Sequence, residues 1–154
     1  MGQSYGCIST LMILAQTTRF KAAQCSSGTS SLISSVGILG GFGRDWALGQ
    51  GKMEGTPWQY RDQYIENSPY FYLDRITTPI LMVNGTSDRA VPAFQQDATF
   101  EAFRTLGKTA VYVRYGGEGH VPMSYSAANR DDYIRRTLAW FDQYLGRASR
   151  LRTP

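Results

Sequence analysis

The chain of 154 residues contains a single histidine, His120, and two cysteines with no C-x-x-C pair. That is too few soft ligands for a structural zinc site, so neither a metal nor a cofactor is expected. No run of eighteen or more apolar residues occurs, so no stretch reads as a membrane-spanning helix and no membrane partner is expected. No signal peptide is read at the start, and no compartment follows from that. A long basic stripe with interleaved aromatics is also missing. The formal charge of +4 comes from scattered Lys and Arg with one cluster at Arg147, Arg150 and Arg152, which reads as a solvated helix end and not as a nucleic-acid surface. There is no internal repeat and no low-complexity segment. With 42% hydrophobic residues the chain can bury a core of its own, and residues 1–154 are read as one domain. Cys7 and Cys25, in a helix start and an apolar strand, are expected to be buried free thiols in preference to a disulfide or a metal pair. The sequon Asn84-Gly85-Thr86 falls at the end of an apolar strand and is read as structural.

What is present begins at Gly2-Gln3-Ser4-Tyr5-Gly6, a G-x-S-x-G pentapeptide followed by the helical-looking run Ile8 to Leu14. Such a pentapeptide can form a strained strand-to-helix turn that lifts a serine Oγ clear of the backbone, with glycines where a side chain would collide. It arises by chance in roughly one chain of this length in ten, so its surroundings decide its meaning. A serine nucleophile needs a base, and the base needs an orienting acid, in the chain order Ser, Asp or Glu, His. His120 lies downstream in Gly116-Gly117-Glu118-Gly119-His120. Between the two, the apolar strand Ile80 to Asn84 runs into a turn that presents Asp88. Asp97, Asp131 and Asp132 have local explanations as helix-surface or capping groups, which leaves Asp88 as the candidate acid.

These pieces resemble the C-terminal part of the catalytic domain of the prolyl oligopeptidase family. The likeness rests on the elbow with Tyr5 after the serine, Asn67-Ser68-Pro69 leading to Ile76-Thr77-Thr78-Pro79, the turn Gly85-x-x-Asp88-x-x-Val91-Pro92, Leu106-Gly107-Lys108, and Tyr115 to His120, which together span nearly the whole chain. Cys7 departs from the family's usual second glycine. The resemblance implies an α/β fold, a partial three-layer α/β-hydrolase with about three parallel strands and flanking helices. The upstream strands of the sheet and the propeller domain that usually precedes them are expected to be missing from this chain. It implies an acyl-transfer hydrolase acting on short peptides, with Ser4, Asp88 and His120 catalytic and the backbone N–H of Tyr5 as one oxyanion donor, the second donor lying upstream. Tyr5, Phe42 and Trp46 are candidate walls of a substrate pocket, and core filling explains them equally well.

Along the chain, the pattern predicts a buried helix from Cys7 to Gln16 and strands at Phe20–Cys25, Ile80–Asn84 and Val111–Tyr115. The polar loop Ser26 to Ser31 should lie at the carboxyl end of the sheet. Pro57 to Ile65 reads as one helix, with Thr56 as its cap. Ala93 to Leu106 should be a helix packing Phe100, Phe103 and Leu106 on the sheet and stopping at Gly107. The closing helix should be capped by Asn129, present the stripe Ile134, Leu138, Phe141 and Leu145, and end at Gly146. Three functions stay open: a serine peptidase fragment, a non-catalytic hydrolase-fold fragment that needs a partner segment, and an esterase of the same fold. An unpaired sheet edge would favour self-association.

Overall fold

Ile80–Gly85 (β3) is buried at every position, as a strand covered on both faces must be. The computed structural model describes residues 1–38 and 42–146, with the Phe42 side chain excepted. The cluster Arg147, Arg150 and Arg152 lies outside the described residues. Four parallel strands form one sheet in the order β1-β2-β3-β4, with Gly2–Gln3 as β1, Ala23–Ser26 as β2 and Ala110–Tyr115 as β4. The three expected strands are there, β2 displaced toward Ser26, and the elbow's first two residues add a short fourth that pairs with Cys25 and Ser26.

Side chains alternate along β3 to make two cores. Ile80 and Met82 meet Leu11 and Leu14 from Tyr5–Leu14 (α1), Phe103 from Ala93–Thr105 (α5), and Leu73 and Ile76 around the 3-10 helix Pro69–Arg75. On the opposite face Leu81 and Val83 meet Tyr115, Tyr125, and Tyr133 and Trp140 from Ala127–Leu145 (α6). A third cluster joins α1 to the segment 32–66 through Ile8, Leu32, Ala47, Met53 and Tyr64. The described residues of that segment form three short helices, Leu32–Val36 (α2), Phe42–Leu48 (α3) and Arg61–Glu66 (α4).

Several expectations are corrected. The buried stripe of α6 is Tyr133, Thr137 and Trp140; of the expected stripe Phe141 packs partly against that core, while Ile134, Leu138 and Leu145 are exposed. The face is rotated by one residue because the Trp140 indole N–H donates to the Ala23 carbonyl at 2.9 Å, pinning that side of the helix to β2. Ser126, not Asn129, is the N-cap residue of α6. On α5, Leu106 is exposed, and the sheet side is taken by Phe103 together with Gln95, Gln96 and Thr99. Gly107 does stop that helix, at φ 64°, in the left-handed region where glycine has no Cβ penalty. The helix expected from Pro57 splits. Thr56 and Gln59 close a separate turn, the Gln59 amide oxygen accepting from the Thr56 N–H and hydroxyl, and Trp58 is 84% exposed, so no apolar face holds that turn in a longer helix. Cys7 and Cys25 are not free thiols. α1 packs on β2 with their Cα atoms 4.9 Å apart, and the two are joined as a disulfide. Asn84 is fully buried and donates to the Gly85 and Val91 carbonyls, consistent with a structural role.

β1 covers β2 at two positions only, and below it a groove is lined by Met1, Ile13, Leu14, Phe20 and Ala22. Met1, Ile13 and Phe20 are exposed there. An open parallel edge with apolar flanks is a template for pairing, so the 154-residue chain should self-associate with rising concentration in light scattering. Ile13→Glu with Phe20→Glu should shift it toward monomer. Leu11→Ala, at a position with no exposed surface, should lower unfolding free energy by about 2–5 kcal/mol in urea titrations.

Candidate active site

Ser4 stands between β1 and α1 with φ 57° and ψ −121°, a backbone conformation that L-residues rarely adopt. Its N–H donates to the Ser26 carbonyl at 2.9 Å, and its own carbonyl accepts from the Cys7 N–H at 2.9 Å. The turn is thereby tied to β2 on one side and to the first turn of α1 on the other. The two flanking glycines are not equivalent. A Cβ on Gly2 would collide with the Gly6 carbonyl and the Thr10 hydroxyl, whereas a Cβ on Gly6 would meet open space. Tyr5 is the first residue of α1, where backbone N–H groups have no partner within the helix.

Asp88 follows β3 and is buried. Its Oδ1 accepts from the N–H groups of Ala90 and Val91 at 2.9 and 2.8 Å, so the turn after the strand orients the carboxylate. Oδ2 lies 2.8 Å from the Nδ1 of His120, and the Nε2 of His120 lies 2.9 Å from the Oγ of Ser4. A carboxylate can only accept, so the proton belongs on Nδ1 and the Nε2 lone pair faces the serine hydroxyl. Three side chains from three loops at the carboxyl end of the sheet therefore meet in one chain of hydrogen bonds. The other aspartates stay apart: Asp97 sits 3.7 Å from Arg114, Asp132 accepts from Arg136 and Tyr115, and Asp131 is exposed.

The polar loop after β2 is not a solvent loop. Ser27, Thr29 and Ser30 are buried, and α5 holds them with polar side chains that sequence reasoning had passed over. Thr29 donates to the Gln95 Oε1 at 2.9 Å, and Ser30 meets Thr99 at 2.7 Å. With its amide oxygen turned to the loop, Gln96 accepts from the Gly28 and Ser27 N–H groups at 2.9 and 3.1 Å. The available signal was the run Gln95-Gln96 on a helix whose apolar pattern was thin. Tyr125, packed 5.3 Å from Tyr115 between ring centroids, is pushed up to about 12, chiefly by burial, with the Asp88 charge adding to the rise.

Beside Ser4 lies a cavity of about 70 Å³ whose walls include Tyr5, Ile8, Thr29, Trp46 and Val91. The rings of Tyr5 and Trp46 stand 5.9 Å apart. Of the three candidate walls, Tyr5 and Trp46 line this cavity beside Ser4, while the side chain of Phe42 lies outside the described residues.

The model of the prolyl oligopeptidase family matches residues 1–148. An uncharacterized peptidase of Bacillus subtilis (strain 168), YuxL, is 32% identical over 147 residues, covering 94% of this chain and 22% of that protein. Dipeptidyl peptidase family member 6 of Caenorhabditis elegans is 31% identical over 124 residues, 78% of this chain and 17% of its own length. Among solved structures, a puromycin-hydrolyzing peptidase of Mycobacterium tuberculosis superposes with a TM-score of 0.84 at 29% identity, covering 94% of this chain and 21% of that one. Acylaminoacyl peptidase of Pyrococcus horikoshii, at 24% identity and a TM-score of 0.82 over 94% of this chain and 23% of its own, shares the fold. The chain spans about a fifth of the length of these relatives.

The asymmetry of the elbow sets an expected outcome for urea denaturation. Gly2→Ala should destabilise strongly, since the collision is with backbone. Gly6→Ala, inside α1 with room for a methyl group, should be neutral or stabilising by up to about 1 kcal/mol.

Proposed function

Because the chain belongs to the prolyl oligopeptidase family of serine peptidases, we propose that residues 1–154 are the C-terminal part of an α/β-hydrolase peptidase domain and carry its acyl-transfer centre. Ser4 is the nucleophile, His120 the general base and Asp88 the group that fixes the imidazole. The observation that carries this reading is the unbroken relay from Ser4 Oγ to His120 Nε2 at 2.9 Å and from His120 Nδ1 to Asp88 Oδ2 at 2.8 Å. As Oγ attacks the acyl carbon, its proton passes to Nε2, and the imidazolium is stabilised by Asp88. The same proton then goes to the leaving amine, and water repeats the sequence on the acyl-enzyme. The Tyr5 N–H at the start of α1 supports a role as one oxyanion donor. The second donor comes from an upstream half of the sheet, which pairs with the free edge of β1.

The substrates are short peptides. Tyr5 and Trp46 enclose the side chain next to the scissile bond, and the small cavity they border suits an uncharged group. The open edge beside β1 favours a second statement: the chain alone has little or no activity, because it lacks the neighbouring strand and one oxyanion donor. Loss of a single such donor costs about 10²–10³ in rate.

A fluorophosphonate probe should label Ser4 when the chain is joined to a relative's upstream half, and Ser4→Ala should abolish the labelling. Survival of labelling in that variant would refute the assignment. In the same protein, His120→Gln and Asp88→Asn should each lower kcat by orders of magnitude, and the double variant should lose little more than either single one, because the three groups act as a unit. Additive losses would mean that the two residues act separately. Aminoacyl and dipeptidyl chromogenic amides, assayed beside the matching esters, separate a peptidase from an esterase.

A further inference from the structure

His120 is carried by a segment that ought to be loose. Between the end of β4 at Tyr115 and the start of α6 at Ala127 lie Gly116, Gly117 and Gly119, each of which raises the entropy that ordering must overcome. A reacting imidazole must nonetheless be held to within a fraction of an ångström. Before the histidine the segment is tied by the Glu118 N–H to the Tyr115 carbonyl at 3.4 Å and the Gly117 N–H to the Thr86 hydroxyl at 2.8 Å, and its other turns, Ser124 N–H to the Val121 carbonyl and Tyr125 N–H to the Pro122 carbonyl, lie beyond it.

We propose that Glu118 is the positioning residue of His120, clamping the histidine loop to the start of α6 and to the Asp88 turn at once. Its Oε1 accepts from the Ser126 N–H at 3.0 Å, the Ser126 hydroxyl at 2.6 Å and the Asn129 amide at 2.6 Å, and Oε2 lies 3.2 Å from the same Ser126 N–H. Its backbone carbonyl accepts from the Ser87 N–H at 2.9 Å, one residue before Asp88. One residue thus joins the loop of the base, the loop of the acid and the last helix. The close approach is strict: a Cβ on Gly85 would collide with the carbonyls of Glu118 and Gly119. In a capping box, a Glu three residues into the helix reaches back to the N-cap N–H. Here Asn129 occupies that position and Glu118 supplies the carboxylate from eight residues upstream of Ser126, so capping α6 and closing the histidine loop are one act. The Ser126 and Asn129 hydrogen bonds hold the Glu118 carboxyl below the usual carboxylate range. Gln3 completes the clamp from the elbow, its amide donating to the His120 carbonyl at 3.1 Å.

This inference rests on the reading of Ser4, His120 and Asp88 as one centre, and the single histidine of the chain allows the two to be tested apart. In the 154-residue chain with ¹⁵N-labelled histidine, the imidazole gives one unambiguous set of NMR signals. The wild type should show Nδ1 protonated and its proton protected from exchange. Glu118→Ala should lose that protection and average the two tautomers, while Glu118→Gln, which still accepts from Ser126 and Asn129, should keep the wild-type signals. Should Glu118→Ala fail to fold, Ser126→Ala, which removes one donor, carries the same test and should weaken the protection. Wild-type imidazole signals in Glu118→Ala, alongside a lowered Tm, would reduce Glu118 to a helix cap and overturn the proposal. A free, tautomer-averaged imidazole in the wild type itself would overturn the reading of the centre, and the clamp with it.

Discussion

The architecture depends on one backbone constraint, the positive φ of Ser4. A β-carbon-bearing residue stays in that region only when its surroundings over-determine it, and here they do so from both ends. The Ser26 carbonyl takes the Ser4 N–H, and the Ser4 carbonyl takes the N–H of Cys7. β2 must therefore end where it does, in register with Gly2 and Gln3, and α1 must start without a side-chain cap. The buried loop from Ser27 to Ser30 then needs polar partners from α5, because β2 hands the chain into the interior and not to water.

Strand alternation carries that constraint through the molecule. Ile80 and Met82 face α1 and α5, while Leu81 and Val83 face α6, so the two loops bearing Asp88 and His120 leave the sheet at adjacent strand ends. Ser4 is held by the Ser26 carbonyl and the Cys7 N–H, and Asp88 by the N–H groups of Ala90 and Val91 in its own turn. The glycine-rich histidine loop borrows its order from Glu118 and the start of α6.

Much of the fold was legible because its strands are short apolar runs ended by glycine or polar turns, and because three residues of fixed chemical order stand in recognisable phrases. The closing helix was legible as a helix but not in its facing. The aliphatic stripe of Ile134, Leu138 and Leu145 suggested one face, but the buried face is that of Tyr133, Thr137 and Trp140, whose indole bonds to the Ala23 carbonyl. Gln95 and Gln96 were illegible for a related reason: polar residues on a helix default to the solvent side unless a buried loop with unpaired groups faces them, and only packing brings that loop there. The two cysteines likewise looked independent, eighteen residues apart, until α1 lay down on β2.

What the sequence by itself determined is the main strands and helices and the chain order of the candidate groups Ser4, Asp88 and His120, since local periodicity, glycine placement and order are properties of the chain read along its length. Only the tertiary structure decided which glycine of the elbow is indispensable, which face of α6 is buried, and how a loose loop holds its histidine. Those are questions of distance between residues far apart in the chain, as Gln3 and His120 are, and they are settled by close packing and by the need to pair every buried polar group.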